Sequence, residues 1–231
     1  MLCSTADETD GEIQYVDMLR RHMMDGIVMC AHTSHPGDYW TSIHRPIVAF
    51  DRVLGDGISS IGSDHEQGER LIAQMLIRNG AKHVVMIGGP RDQFFDLAAR
   101  GEVEEGPFDL GKTTFPTVRY CLTLEQELTS AGVKYEYVEA GEVMDFAGYH
   151  RAVSNALDKV TADGVDAVVS SDIGASFCVR EALSRGISIP DELQIVAYDG
   201  TYLTDLAGMK LTAVAQDFSR SHSRRPTTSC R

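Results

Sequence analysis

The sequence predicts an α/β protein built from parallel sheets covered by helices, and two observations carry that prediction. Short apolar runs rich in β-branched residues recur along the chain. Segments with apolar residues at helical spacing lie between most of them, an alternation that argues for strand–helix–strand units. A third observation agrees: the run 193–197 stops abruptly on Tyr198, Asp199 and Gly200. In parallel sheets, ligands bind just outside such carboxyl strand ends.

Taken in order, the predicted strands are "MLCS" (1–4), "GIVMCA" (26–31), "PIVAF" (46–50), "ISSIG" (58–62) and "HVVMIG" (83–88). After a gap come "KYEYV" (134–138), "VDAVVS" (165–170), "LQIVAY" (193–198) and "KLTAVA" (210–215). Helical patterns cover about 9–23, 64–79, 119–131, 146–161 and 173–185. In the second of these, Leu71, Ile72, Met75 and Leu76 share a face, and Asn79-Gly80 supplies the stop. Two segments break the rhythm. Residues 93–116 are rich in Gly, Asp and Glu and read as a surface insertion, with a short helix over 94–100. From Ser219 the chain turns basic and Ser/Thr-rich, as a disordered or aberrant tail does.

Composition narrows function. At 231 residues and 43% apolar, the chain can bury a sizeable core. Its formal charge of −13 excludes a phosphate-backbone grip by this chain. No run approaches the roughly 18 apolar residues of a membrane span. The acidic start "MLCSTADETDGE" has no secretory core, so a cytoplasmic location is expected. The five cysteines lack CxxC spacing and read as buried free thiols. "HTSH" (32–35) has no cysteine or helical frame to make it a metal site. "MIGGP" (86–90) lacks the pattern of a phosphate loop. Neither a metal nor a cofactor is therefore expected.

Several motifs occur in one order: "DGIV" (25–28), "PIVAFDR" (46–52), "SDHEQGERLIAQMLIRNGAKHVVMIGGP" (63–90), Arg119, "AGYHRAV" (147–153), "DAVVSSDIGA" (166–175), "GISIPDELQIVAYDG" (186–200) and "LTAVAQDF" (211–218). Together they resemble the effector-binding domain of the lactose/galactose repressor (LacI/GalR) family of bacterial transcription factors. The resemblance spans roughly residues 1–92 and 117–218. It implies a two-lobed fold like that of periplasmic binding proteins, each lobe a parallel sheet flanked by helices. On that pattern residues 1–92 form the first lobe, 211–218 return to it, and 117–206 form the second. The same pattern implies that the chain starts at the family's second strand, leaving the first lobe incomplete. The helix-turn-helix that binds DNA in the family then lies outside the chain. A truncated or frame-shifted reading frame would account for both ends.

The resemblance also assigns roles. Arg119 matches the arginine that grips ligand hydroxyls at the start of the second lobe's first helix, although Leu122 stands where the family has glycine. Asp199 matches the ligand-binding aspartate after its strand. Ser171 and Asp172 match the polar pair at the preceding strand end, where Asp172 could equally cap the helix beginning at Ile173. Phe218 matches an aromatic that stacks on sugars, while Val143 replaces a second one. Asp51 and Arg52 end the strand 46–50 and either face the ligand or lie in a surface pair. The implied function is sensing of a small sugar or derivative by a dimeric repressor, without catalysis. First-lobe surfaces, including the helix at 64–79, would form the dimer. A transporter's solute receptor and an α/β enzyme acting on a sugar are the alternatives.

Overall fold

Among the described residues eight strands form two sheets, and every pairing is parallel. The computed structural model describes residues 9–30, 38–51, 54–90, 116–141 and 145–216. The chain divides into one unit of residues 1–63, 93–116 and 218–231, and a second of residues 64–92 and 117–217. The predicted strand 1–4, the helix over 94–100 and the tail from Ser219 lie outside the described residues.

The first unit contains helix α1 (Thr9–Arg20) and strands β1 (Ile27–Met29), β2 (Ile47–Phe50) and β3 (Ser59–Ile61), in the order β1-β2-β3. Strand alternation separates two faces. On one face Met29, Ile47 and Ala49 pack with Val16 and Leu19 of α1, and with Trp40, Ile43 and Leu54. On the other, Val28, Phe50 and Ile61 are exposed, Val28 by 70%.

The second unit is built on five strands. They are β4 (His83–Gly88), β5 (Lys134–Glu139), β6 (Ala167–Ser170), β7 (Gln194–Ala197) and β8 (Thr212–Ala213), in the order β5-β4-β6-β7-β8. Its helices are α2 (His65–Arg78), α3 (Pro116–Ser130), α4 (Phe146–Asp163) and α5 (Asp172–Ser184). All six residues of β4 are buried, as expected of a central strand covered on both faces. One face sends Val85, Ile87, Val168 and Ile195 against Tyr149, Val153 and Leu157 of α4 and Ala175 and Val179 of α5. Alternation puts Val84, Met86, Val169 and Val196 on the opposite face. There Tyr135 of β5 donates to the Cys121 carbonyl of α3 at 3.4 Å.

Local chemistry sets the helix starts. Asp64 caps α2 by accepting from Gln67 N at 2.9 Å, and Asp145 caps α4 by accepting from Gly148 N at 2.8 Å. After α4, Gly164 takes a left-handed φ of 70° and ends the helix.

The sheet pairings correct the expected lobe boundaries. The strand at 83–88 was assigned to the first lobe, yet it is hydrogen-bonded between β5 and β6 in the second unit. Helix α2 belongs there too. The strand at 210–215 likewise pairs with β7, so it does not return to the first sheet within the described residues. The physical reason is burial: a strand apolar on both faces belongs at the centre of a sheet with helices on both sides. Cys121 and Cys178 are buried as expected, whereas Cys30 is exposed.

The amino-terminal end of β4 is held by a charged cluster. His83 Nε2 lies 2.9 Å from Glu136 Oε1 of β5, and Lys134 Nζ lies 2.7 Å from the same oxygen. Lys159 of α4 bonds the other carboxylate oxygen. Hydrogen bonds from Lys134 and Lys159 hold the Glu136 carboxyl down at about 2. A depressed carboxyl stabilises the fold above its unfolded value, and that contribution disappears as pH falls toward about 2. Solvent screening keeps it near ~1 kcal/mol. Urea denaturation from about pH 6 to about pH 2 should therefore show a shallower acid loss for Glu136→Gln than for the parent protein. Parallel curves would count against the cluster.

Candidate functional site

The carboxyl ends of the central strands lie level. Ile87 of β4, Ser170 of β6 and Ala197 of β7 form one hydrogen-bonded row. Beyond that row come Ser171 and Asp172 on one strand, and Tyr198, Asp199 and Gly200 on the next. The polar residues expected at these two strand ends are thus neighbours in space.

Their roles differ from expectation. Helix α5 starts at Asp172, one residue earlier than predicted, and its cap is Ser171, whose Oγ accepts from Gly174 N at 3.3 Å. The Ser171 hydroxyl is also 3.1 Å from Tyr149 Oη. Asp172 is only 2% exposed. Its carboxylate accepts from Gly200 N at 3.0 Å, and from Thr201 N and Thr201 Oγ1 at 2.5 Å each. The cap that Asp172 could have supplied is Ser171, and the Asp172 oxygens latch the loop after β7 to the start of α5. Gly200 needs to be glycine, because its φ is 65° and an added Cβ would lie 2.6 Å from Ala215 Cα.

Asp199 is half-buried beside this latch. Around it stand aromatic side chains that the sequence reading did not single out. Tyr198 stacks on Tyr120 of α3 at 4.8 Å with a 27° interplanar angle, and Tyr120 meets His65 of α2 edge-on at 4.4 Å. Burial pushes the Tyr198 hydroxyl well up and the Tyr149 hydroxyl up, and the Asp199 charge adds to both.

A further group was also missed. Glu69 of α2 is fully buried, and burial, reinforced by Asp199, raises its carboxyl well above the usual carboxylate range. The sequence held a signal for it: Glu69, Ile72 and Leu76 share a helical face, so the apolar stripe carries an acid.

The other expected residues are placed less fully. Arg119 lies in the first turn of α3, and its side chain lies outside the described residues. Asp51 follows β2 in the first unit with a left-handed φ of 51°. Arg52, Val143 and Phe218 lie outside the described residues, as does the "HTSH" loop. Among the described residues, no group of three or more His, Cys, Asp or Glu is arranged to hold a metal ion, and no helix is long and apolar enough to cross a membrane.

Residues 73–221 match the periplasmic binding protein-like domain family. The chain belongs to that family. This periplasmic binding protein-like domain is 27% identical over 216 residues to the sucrose operon repressor of Streptococcus mutans, covering 94% of the chain and 59% of that repressor. It is 28% identical over 218 residues to the ribose operon repressor of Halalkalibacterium halodurans, covering 94% and 58%. The chain thus spans somewhat over half the length of these relatives. Among solved structures, a periplasmic binding protein/LacI transcriptional regulator from Alkaliphilus metalliredigens in complex with D-xylulofuranose superposes with a TM-score of 0.68. It is 24% identical, with 94% of this chain and 72% of that one covered. A LacI family regulator from Lactobacillus casei with bound glucose gives 0.71 at 16% identity, covering 96% and 78%. The resemblance to LacI-type effector-binding domains and the fold it implied are both borne out.

The latch makes a direct prediction about this domain. Asp172→Ala leaves the half-buried amides of Gly200 and Thr201 without their acceptor, and should lower urea stability by about 1 kcal/mol. Asp172→Asn keeps one acceptor oxygen and should lose less. Equal stability of Asp172→Ala and the parent protein would remove the latch.

Proposed function

We propose that this domain senses a small sugar or sugar derivative for a bacterial transcriptional repressor. The observation that carries the reading is Asp199, half-buried at the carboxyl end of β7 beside Tyr198 and Tyr149. A carboxylate accepts hydrogens from paired hydroxyls, and aromatic faces suit the C–H side of a sugar ring. Arg119, in the first turn of the neighbouring α3, supplies a planar donor for the same hydroxyls. The relatives named for sucrose and ribose operons support this class of ligand.

In this reading the domain works in the cytoplasm and performs no catalysis. DNA is bound by a segment outside this chain, since a chain of net charge −13 is poorly suited to grip phosphates itself. Effector binding shifts the equilibrium between repressor states by its different affinity for each. The repressor acts as a homodimer, a reading supported by the exposed apolar side chains of Leu71 and Ile77 on α2, the helix expected at the interface. Sedimentation velocity over a range of concentrations reads that association, and a monomer at every concentration would oppose it.

Calorimetric titration with sucrose, D-ribose and D-glucose tests the sensing role. Binding of at least one sugar is expected, weakened about tenfold or more by Asp199→Ala and by Arg119→Ala, the loss of a charged hydrogen bond. Unchanged affinity in either variant would remove that residue from the site.

A further inference from the structure

The hydroxyl of Ser171 has its directions set by two protein partners. Its Oγ caps α5 by accepting from Gly174 N at 3.3 Å, and it lies 3.1 Å from Tyr149 Oη of α4. Tyr149 is only 3% exposed, and among the described residues its hydroxyl bonds to nothing except Ser171. A buried hydroxyl gives its hydrogen to the acceptor within reach, so Tyr149 donates and Ser171 accepts. Burial pushes the Tyr149 hydroxyl up, so it keeps that hydrogen. Gly174 makes the approach possible, because an added Cβ would lie 3.0 Å from Tyr149 Cε1.

A serine oxygen has two lone pairs and one hydrogen. Here Gly174 and Tyr149 take both lone pairs, and the hydrogen has no acceptor among the described residues. Ser171 is half-buried just beyond β6, following Ser170, whose carbonyl accepts from Tyr198 N at 3.2 Å. Asp199 comes directly after Tyr198 and is half-buried as well. Neighbouring strands lie about 4.8 Å apart, a distance one small ligand spans. A fixed donor and a carboxylate acceptor therefore stand side by side at adjacent strand ends.

We propose that Tyr149 is a positioning residue of the effector site, which fills the second lone pair of Ser171 and so commits the serine hydrogen to the ligand. Ser171 then donates to one ligand oxygen while Asp199 accepts from a hydroxyl of the same molecule. The ligand class that meets both is a neutral polyol, whose hydroxyls each offer an oxygen that accepts and a hydrogen that donates. Tyr149 touches no ligand and acts only through Ser171. This role rests on the sugar-sensing reading and adds to it a residue buried behind the site. Without the tyrosine hydroxyl, Ser171 regains a lone pair and its hydrogen is free to turn, so the donor is no longer preorganised.

The test is a double-mutant cycle read by calorimetry on the whole chain with sucrose, D-ribose and D-glucose. Parent protein, Tyr149→Phe, Ser171→Ala and the double variant are compared, with thermal melts showing that each is folded. Tyr149→Phe keeps the ring and should bind about fivefold more weakly than the parent. Ser171→Ala should lose about tenfold. The double variant should match Ser171→Ala, because Tyr149 has no route to the ligand once the serine hydroxyl is gone. A merely structural tyrosine would weaken binding by the same factor in both backgrounds. That result, or parent-like affinity in Tyr149→Phe, would overturn the role of Tyr149 alone. No binding of any sugar by the parent protein would overturn the sugar reading itself, and this inference with it. Should Ser171→Ala fail to fold, Tyr149→Phe still decides: weaker binding where that variant is fully folded supports the role, and parent-like binding removes it.

Discussion

One buried carboxylate, Asp172, fixes the geometry on which the candidate site depends. A parallel sheet delivers its strands to a common edge, but the chain beyond that edge is held only by what the loops can bond to. Here the first residue of α5 reaches across to the loop after β7 and accepts from Gly200 and Thr201. Charge-assisted bonds of this kind are stronger than neutral ones, and stronger again where water is excluded. Asp199, immediately before the latched residues, is therefore presented from a fixed backbone.

The same edge contains two carboxyls in different circumstances. Asp172 has its oxygens filled by protein donors, and Glu69 has no hydrogen-bond partner among the described residues although it is the more deeply enclosed. A filled carboxylate stabilises its surroundings, whereas an unfilled one opposes them until a proton or ligand arrives.

Much of the fold was legible because strands and helices leave periodic marks. The run at 83–88 was recognisable as a strand, and so was the helix before it. Their sheet was not legible, since periodicity reports which residues are buried but not which neighbour buries them. Only the hydrogen bonds of His83 through Gly88 to two other strands settle membership. At the site, Asp199 was readable from the abrupt stop of an apolar run. That Ser171 rather than Asp172 caps α5 was not, because either residue type caps a helix well and only geometry decides. Glu69 left a trace, an acid in an apolar stripe, which a search for strand-end residues passes over.

The interior position of β4 also governs how the second unit comes into being. Val84 pairs with Ala167, and His83 with Lys134, so β4 is synthesised long before either of its neighbours. Within the second unit a growing chain delivers β4 as its first strand and must carry it before its partner strands exist. Closure of such distant pairings is slow, and exposed strands invite association with other chains meanwhile. The feature that gives the finished sheet its buried interior thus leaves β4 without strand partners in the nascent chain until β5 and then β6 emerge.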